Sequence, residues 1–214
     1  MVKYWSRPFD TPYGSGKMVP ITVTGKALWD KVEASMEKVQ RRLRRAVGIL
    51  IRAGVPYAVV GGNAVRVWVA QVDETAVRAT QDVDILISRE HLGKVIEAMS
   101  AEGLTFRESA GLSMLLESPD DKARDAIHLV FTGERIKADD PEENPEIEPV
   151  VQVEDFQTLP LERLVRMKLN SHRLKDRVHL LDMISVGLVD SNWPEKYPPV
   201  LAGRLRALLE NPDQ

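Results

Sequence analysis

The stretch Val59-Val60-Gly61-Gly62-Asn63-Ala64, answered downstream by Arg78-Ala79-Thr80-Gln81-Asp82-Val83-Asp84-Ile85-Leu86-Ile87, decides how this chain is read. A short apolar strand ends in paired glycines and a helix starts at once. A second strand then opens with aspartates two residues apart. Glycine allows a tight turn and lets a ligand approach main-chain N–H groups. The free N–H groups and dipole of a helix start favour an anion. Alternate side chains of a strand share a face, so Asp82 and Asp84 point together while Val83, Ile85 and Ile87 turn to the core. Adjacent carboxylates repel unless a cation or proton lies between them, and such oxygen ligands suit Mg²⁺. If the backbone stays extended further back, Thr80 and Arg78 line the same side. The stretch reads as a phosphate site beside a divalent-metal site, although Gly-Gly alone would be only a tight strand-to-helix turn.

The chain has 214 residues, 43% of them hydrophobic, with a net charge of -3. That suits one sizeable globular domain, or one domain with a helical appendage. Cysteine is absent, which excludes disulfides and thiol chemistry. No apolar run approaches the ~20 residues that cross a bilayer, and the polar start lacks the apolar core of a signal peptide. A cytoplasmic location without a membrane partner is the expectation. Residues 38–45 and 163–177 are basic and residues 139–148 acidic. The absence of an overall basic charge argues against a general DNA binder.

Residues 1–24 read as an extended arm broken by Pro8, Pro12, Gly14, Gly16 and Pro20; Gly14-Ser15-Gly16-Lys17 lacks the spacing of a phosphate loop. The α/β core spans 25–137. It opens with a long helix over 26–53, striped by Val32, Met36, Val39, Leu43, Ala46 and Leu50, with its cations on other faces. Strands are expected over 57–60, 82–87, 104–107, 112–117 and 126–131, and helices over 63–72 and 89–101, the latter capped by Ser88. An acidic, proline-rich loop that cannot bury much covers 138–150. A helical region occupies 151–214: Thr158 and Pro160 start a helix to Asn170, residues 175–186 form the next or extend it, and 200–210 the last. The fold class is α/β (α+β), a small mixed sheet flanked by helices with a C-terminal helical part.

Gly-Gly-Asn at a helix start, then Arg-x-Thr-x-Asp-x-Asp on the next strand, resembles the nucleotidyltransferase (DNA polymerase β-like) superfamily. Within it the chain is most similar to the minimal and AbiEii-like bacterial members, which include toxins of toxin–antitoxin pairs. The resemblance covers residues 55–188. It implies a nucleotidyltransferase fold in which Gly61, Gly62 and Asn63 hold the triphosphate of an NTP, Asp82 and Asp84 hold Mg²⁺ or Mn²⁺, and Arg78 and Thr80 lie beside the nucleotide. The pattern also expects a third carboxylate on a later strand, where this chain has His128 in Ile127-His128-Leu129-Val130. His128 would be a metal ligand, the base for an acceptor hydroxyl, the mark of a protein that binds nucleotide without transferring it, or a hydrogen-bonded sheet histidine.

In the helical region Lys168 lies on the apolar stripe of Leu161, Leu164, Val165 and Leu169. An inward lysine is costly unless it meets an anion, and its counterpart in AbiEii-like proteins is thought to face the phosphates; otherwise it snorkels at the stripe's edge. Asp176 resembles the acid motif of those proteins and would be a base or nucleotide contact, or else a surface ion pair with Arg173 or Arg177. The implied reaction moves an NMP from an NTP to a hydroxyl of RNA (a tRNA end included), protein or a small alcohol. Two other readings stand beside it: a catalytically weak NTP-binding protein, and an RNA-binding or antitoxin-partnered protein acting through its basic helices.

Overall fold

The computed structural model describes residues 25–118, 120–153 and 155–211. The expected N-terminal arm lies outside them. The described residues divide into two units between Ala34 and Ser35. Helix α1 (Lys26–Arg52) begins in the first unit, where Leu28, Trp29 and Val32 are exposed. The second unit carries the sheet and the candidate site.

Its sheet has seven strands in the order β3-β4-β5-β2-β1-β7-β6. These are β1 (Ala58–Val60), β2 (Val83–Ile87), β3 (Thr105–Ser109), β4 (Leu112–Leu116), β5 (Ile127–Phe131), β6 (Val151–Val153) and β7 (Phe156–Thr158). Central β2 runs antiparallel to β1 and parallel to β5. The β-branched and aliphatic residues of these strands bury both faces of the sheet. Val59, Val83, Ile85, Ile87, Ile127 and Leu129 form one cluster with Val39, Leu43, Ala46 and Leu50 of α1 and with Val95 and Met99 of α3 (Leu92–Ala101). Ala58, Val60, Leu86, Ile147 and Leu159 form another. A third joins α2 (Gly61–Ala70) to α4 (Leu161–Ser171), α5 (Leu174–Ser185) and α6 (Pro199–Glu210).

The expected stripe of α1 is buried from Val39 onward. Its cations are not all solvated: Arg42 is buried and pairs with Glu117. Ser88 makes no side-chain cap, and a 3₁₀ turn at Arg89–His91 precedes α3. The larger departure lies in the segment expected to be helical from residue 151. It first gives the sheet β6 and β7, with Val59 opposite Thr158 in a parallel pairing. Thr158 is therefore a strand residue; its hydroxyl donates to Val59 O at 2.9 Å.

The acidic loop is also less superficial than its composition suggests. Asp140, Asn144 and Ile147 are buried. Asn144 Nδ2 donates to Phe131 O, while Asn170 of α4 accepts from Glu142 N and donates to Glu142 O, at 2.8 and 2.7 Å. Two side-chain amides thus strap this loop over one side of the sheet. Asn170→Ala removes both bonds to Glu142 and should cost about 1–3 kcal/mol, read as a lowered urea midpoint, with faster proteolysis of residues 134–149.

Candidate active site

β2 and β5 are in register so that Asp84 lies opposite His128, and Val60 at the end of β1 lies opposite Asp84 on the other side. The register thus brings the start of α2, a carboxylate and an imidazole into one row. Asp82 precedes β2, and its main-chain oxygen accepts a 2.8 Å hydrogen bond from the buried Asn63 Nδ2. Asp82, Asp84 and His128 each present one ligand atom, all within 4.8 Å of one another.

Gly61 begins α2 at φ +69°, a conformation that L side chains rarely adopt. A Cβ there would lie 1.8 Å from Asp84 Oδ2, and one on Gly62 would lie 2.5 Å from Thr80 Oγ1. The paired glycines therefore let the helix start lie against the side chains of the downstream segment. Among the described residues no side chain caps this helix, and Gly61 faces the cleft that the aspartates line.

His128 has both ring nitrogens engaged. Nε2 lies 2.9 Å from Ala123 O and Nδ1 lies 3.3 Å from Asp84 Oδ1. A carbonyl only accepts, so Nε2 carries a proton. Nδ1 then either carries a second proton as an imidazolium paired with Asp84 or directs its lone pair at a cation. The bond to Asp84 raises the imidazole above its usual value of 6.5, against the opposing effect of burial. Anchoring of one nitrogen on a carbonyl while the other faces carboxylates is the arrangement of a metal-ligating histidine. Asp125, next to this corner in sequence, belongs to a 3₁₀ turn ahead of β5.

The cleft around this corner holds about 180 Å³ and is walled on its other side by α4 and the start of α5. Lys168 is buried as its stripe position requires, and its Nζ meets Asp176 Oδ1 at 3.1 Å. His172, in the left-handed region at φ 43°, ends α4 and turns the chain into α5. Arg173 and Lys175 then enter the same cleft. Lys175 Nζ lies 2.8 Å from Asp82 Oδ2. Burial pushes the Asp82 carboxyl up, but the hydrogen bond and charge of Lys175 outweigh it and hold the group below the usual range.

Several expected site residues are engaged in other contacts. Asp176 does not fit a base. It is fully buried and takes five hydrogen bonds, from Lys168, Ser171 and three donors of Arg173. Burial opposes its ionisation, but these partners prevail and hold its carboxyl far below the usual range. It is a buried hub that caps α5, not a surface ion pair. Arg78 is turned away from the aspartates and donates through Nε to both Asp182 oxygens, at 2.7 and 2.8 Å. Thr80, Gly62 and Arg78 line a separate crevice with His179, whose imidazole burial drives down to about 4, Lys168 adding to the effect. Asn63 positions Asp82 without facing the cleft. Arg173 and Lys175 are the additions. Lys175 stands in a Lys-Asp-Arg run whose sequence signal pointed only to Asp176.

No known family model matches the chain, and no curated protein matches it significantly. Solved structures do. An antigenic nucleotidyltransferase-like protein from Paracoccidioides brasiliensis superposes with a TM-score of 0.51 at 16% identity, over 84% of this chain and 91% of that one. This chain has the nucleotidyltransferase fold. ANT(2'')-Ia in complex with adenylyl-2''-tobramycin (TM-score 0.46, 13% identity, 80% of this chain and 97% of that one) and JHP933 from Helicobacter pylori (0.45, 16%, 83% and 75%) are looser likenesses. Among the described residues no helix is long and apolar enough to cross a membrane.

The corner at Asp84 sets two expected outcomes. Gly61→Ala forces a Cβ into that carboxylate at a positive φ and should cost about 2 kcal/mol or more in urea unfolding. The His128–Asp84 pair should stabilise the fold fully below pH 6.5, the ordinary histidine value, and lose that effect as pH rises through the raised folded value. The stability gap between wild type and His128→Asn should therefore be widest in mild acid and shrink with rising pH.

Proposed function

We propose that this protein is a metal-dependent nucleotidyltransferase that moves an NMP from an NTP to an acceptor hydroxyl. One observation carries the reading. A carboxylate pair and an anchored imidazole share a single cleft with Lys168, Arg173 and Lys175 and with an uncapped helix start at Gly61. Anionic metal ligands beside a set of cations are what a metal–triphosphate complex requires.

The donor set fits a divalent ion: carboxylate oxygens of Asp82 and Asp84 with His128 Nδ1 as third ligand. The nitrogen makes Mn²⁺ a better match than Mg²⁺, which prefers oxygen. When bound, the ion would supply Lewis-acid stabilisation of phosphoryl oxygens. The rest falls to the chain. Lys168, Arg173 and Lys175 bind and orient the phosphates, and the first N–H groups of α2 face the same anion. The acceptor oxygen attacks the α-phosphorus, pyrophosphate leaves, and the hydroxyl proton passes to the carboxylate corner and on to solvent. Most of the rate would come from positioning and fixed charge.

The acceptor is an RNA end, a protein hydroxyl or a small alcohol. A toxin-like role with an antitoxin partner, as in some AbiEii-like proteins, would use one of the first two. The RNA-binding reading without chemistry is less favoured, because arginines 41, 42, 44, 45 and 52 of α1 each pair with an acid of this fold. The replacement of a third carboxylate by His128 favours a second reading, an NTP-binding protein of weak activity.

Incubation with each α-labelled NTP, Mg²⁺ or Mn²⁺, and total cell RNA, protein or aminoglycosides should label one acceptor class. Asp82→Asn with Asp84→Asn should reduce labelling by about 10³-fold. Tight NTP binding with no labelled acceptor would leave the second reading in place of the first.

A further inference from the structure

The three cations that the helices bring to the cleft, Lys168, Arg173 and Lys175, are not equally committed. The Arg173 guanidinium is held by two bonds to Asp176. Lys168 is buried against that same carboxylate. Lys175 is different. Its hydrogen-bond partner is not Asp176 but Asp82, a member of the candidate metal set. Its backbone lies in the first turn of α5, fixed by the cap that Asp176 makes there. A flexible four-carbon stem thus projects from a rigid base.

The backbone of Asp82 is held in place, because Asn63 Nδ2 donates to its main-chain oxygen at 2.8 Å. An ammonium and a divalent cation on one carboxylate repel each other across a few ångströms. Where Asp82 ligates an ion, the group free to leave is Lys175. Once released, its ammonium stays within the cleft that holds Lys168, Arg173 and the start of α2.

We propose that Lys175 is a phosphate-binding residue parked on Asp82, and that divalent metal binding at Asp82 releases it toward the nucleotide. This rests on the metal–nucleotide reading of the cleft. Lys175 competes with the metal and cooperates with the phosphates. Metal and nucleotide then favour each other's binding, reciprocally, beyond what their direct contact supplies.

The test is calorimetric titration of Mn²⁺ and of an α,β-methylene NTP, each with and without the other, into wild type, Lys175→Met, Lys175→Arg and the Asp82→Asn/Asp84→Asn double variant. Lys175→Met should bind Mn²⁺ alone about five- to tenfold more tightly than wild type and the nucleotide with Mn²⁺ about tenfold more weakly. Lys175→Arg keeps the charge and should stay near wild type for Mn²⁺. Unchanged or weaker Mn²⁺ binding by Lys175→Met, with wild-type binding that the double variant abolishes, would overturn the role of Lys175 and leave the metal site standing. Absence of Mn²⁺ binding in wild type would overturn the metal reading, and this inference with it. Equal losses of metal and nucleotide affinity in both Lys175 variants would mark a structural role and overturn the inference alone.

Discussion

Two carboxylates held together at the start of a buried strand must be met by positive charge, and the rest of the molecule is built around that demand. Asp82 and Asp84 cannot spread apart. β2 is paired on both sides, and its approach is fastened by Asn63. Gly61 lies against one carboxylate so closely that no side chain fits between them. The compensation comes from two directions. β5 brings His128 in register with Asp84, and the turn at His172 brings Arg173 and Lys175 across from the helices. The hydrophobic clusters on either side of the sheet serve to hold these parts still.

Asp176 shows how the helical wall is kept rigid. A buried carboxylate is tolerated only when fully satisfied, and here Lys168, Ser171 and Arg173 satisfy it while it caps α5. The same ionic knot sets Lys168 and Arg173 facing the cleft. Removal of Asp176 would leave the buried Lys168 and the half-exposed Arg173 without their shared partner.

The strand–glycine–helix turn and the aspartate strand were legible because they follow from local rules: β-branched alternation, glycine at a forced turn, carboxylates two apart. His128 stood out only through the resemblance, which expects a carboxylate at that position between apolar strand residues. Arg78 was not legible, since its partner Asp182 lies 104 positions away. Asp176 has ordinary surface neighbours in sequence, and its burial is decided by tertiary packing. β6 (Val-Gln-Val) and β7 (Phe-Gln-Thr) are three residues each, too short for an alternation to stand out in sequence. The left-handed His172 gives no composition signal, yet it is what brings Lys175 to Asp82.

The proposed chemistry stands on Asp82, Asp84 and His128 forming one divalent-cation site with Nδ1 as a ligand. Pulsed electron paramagnetic resonance of Mn²⁺ bound to the protein tests this directly. A nitrogen coupling of the size of a directly bound imidazole should be present in wild type and absent in His128→Asp, with Mn²⁺ still bound in both. Bound Mn²⁺ with no such coupling in wild type would contradict it.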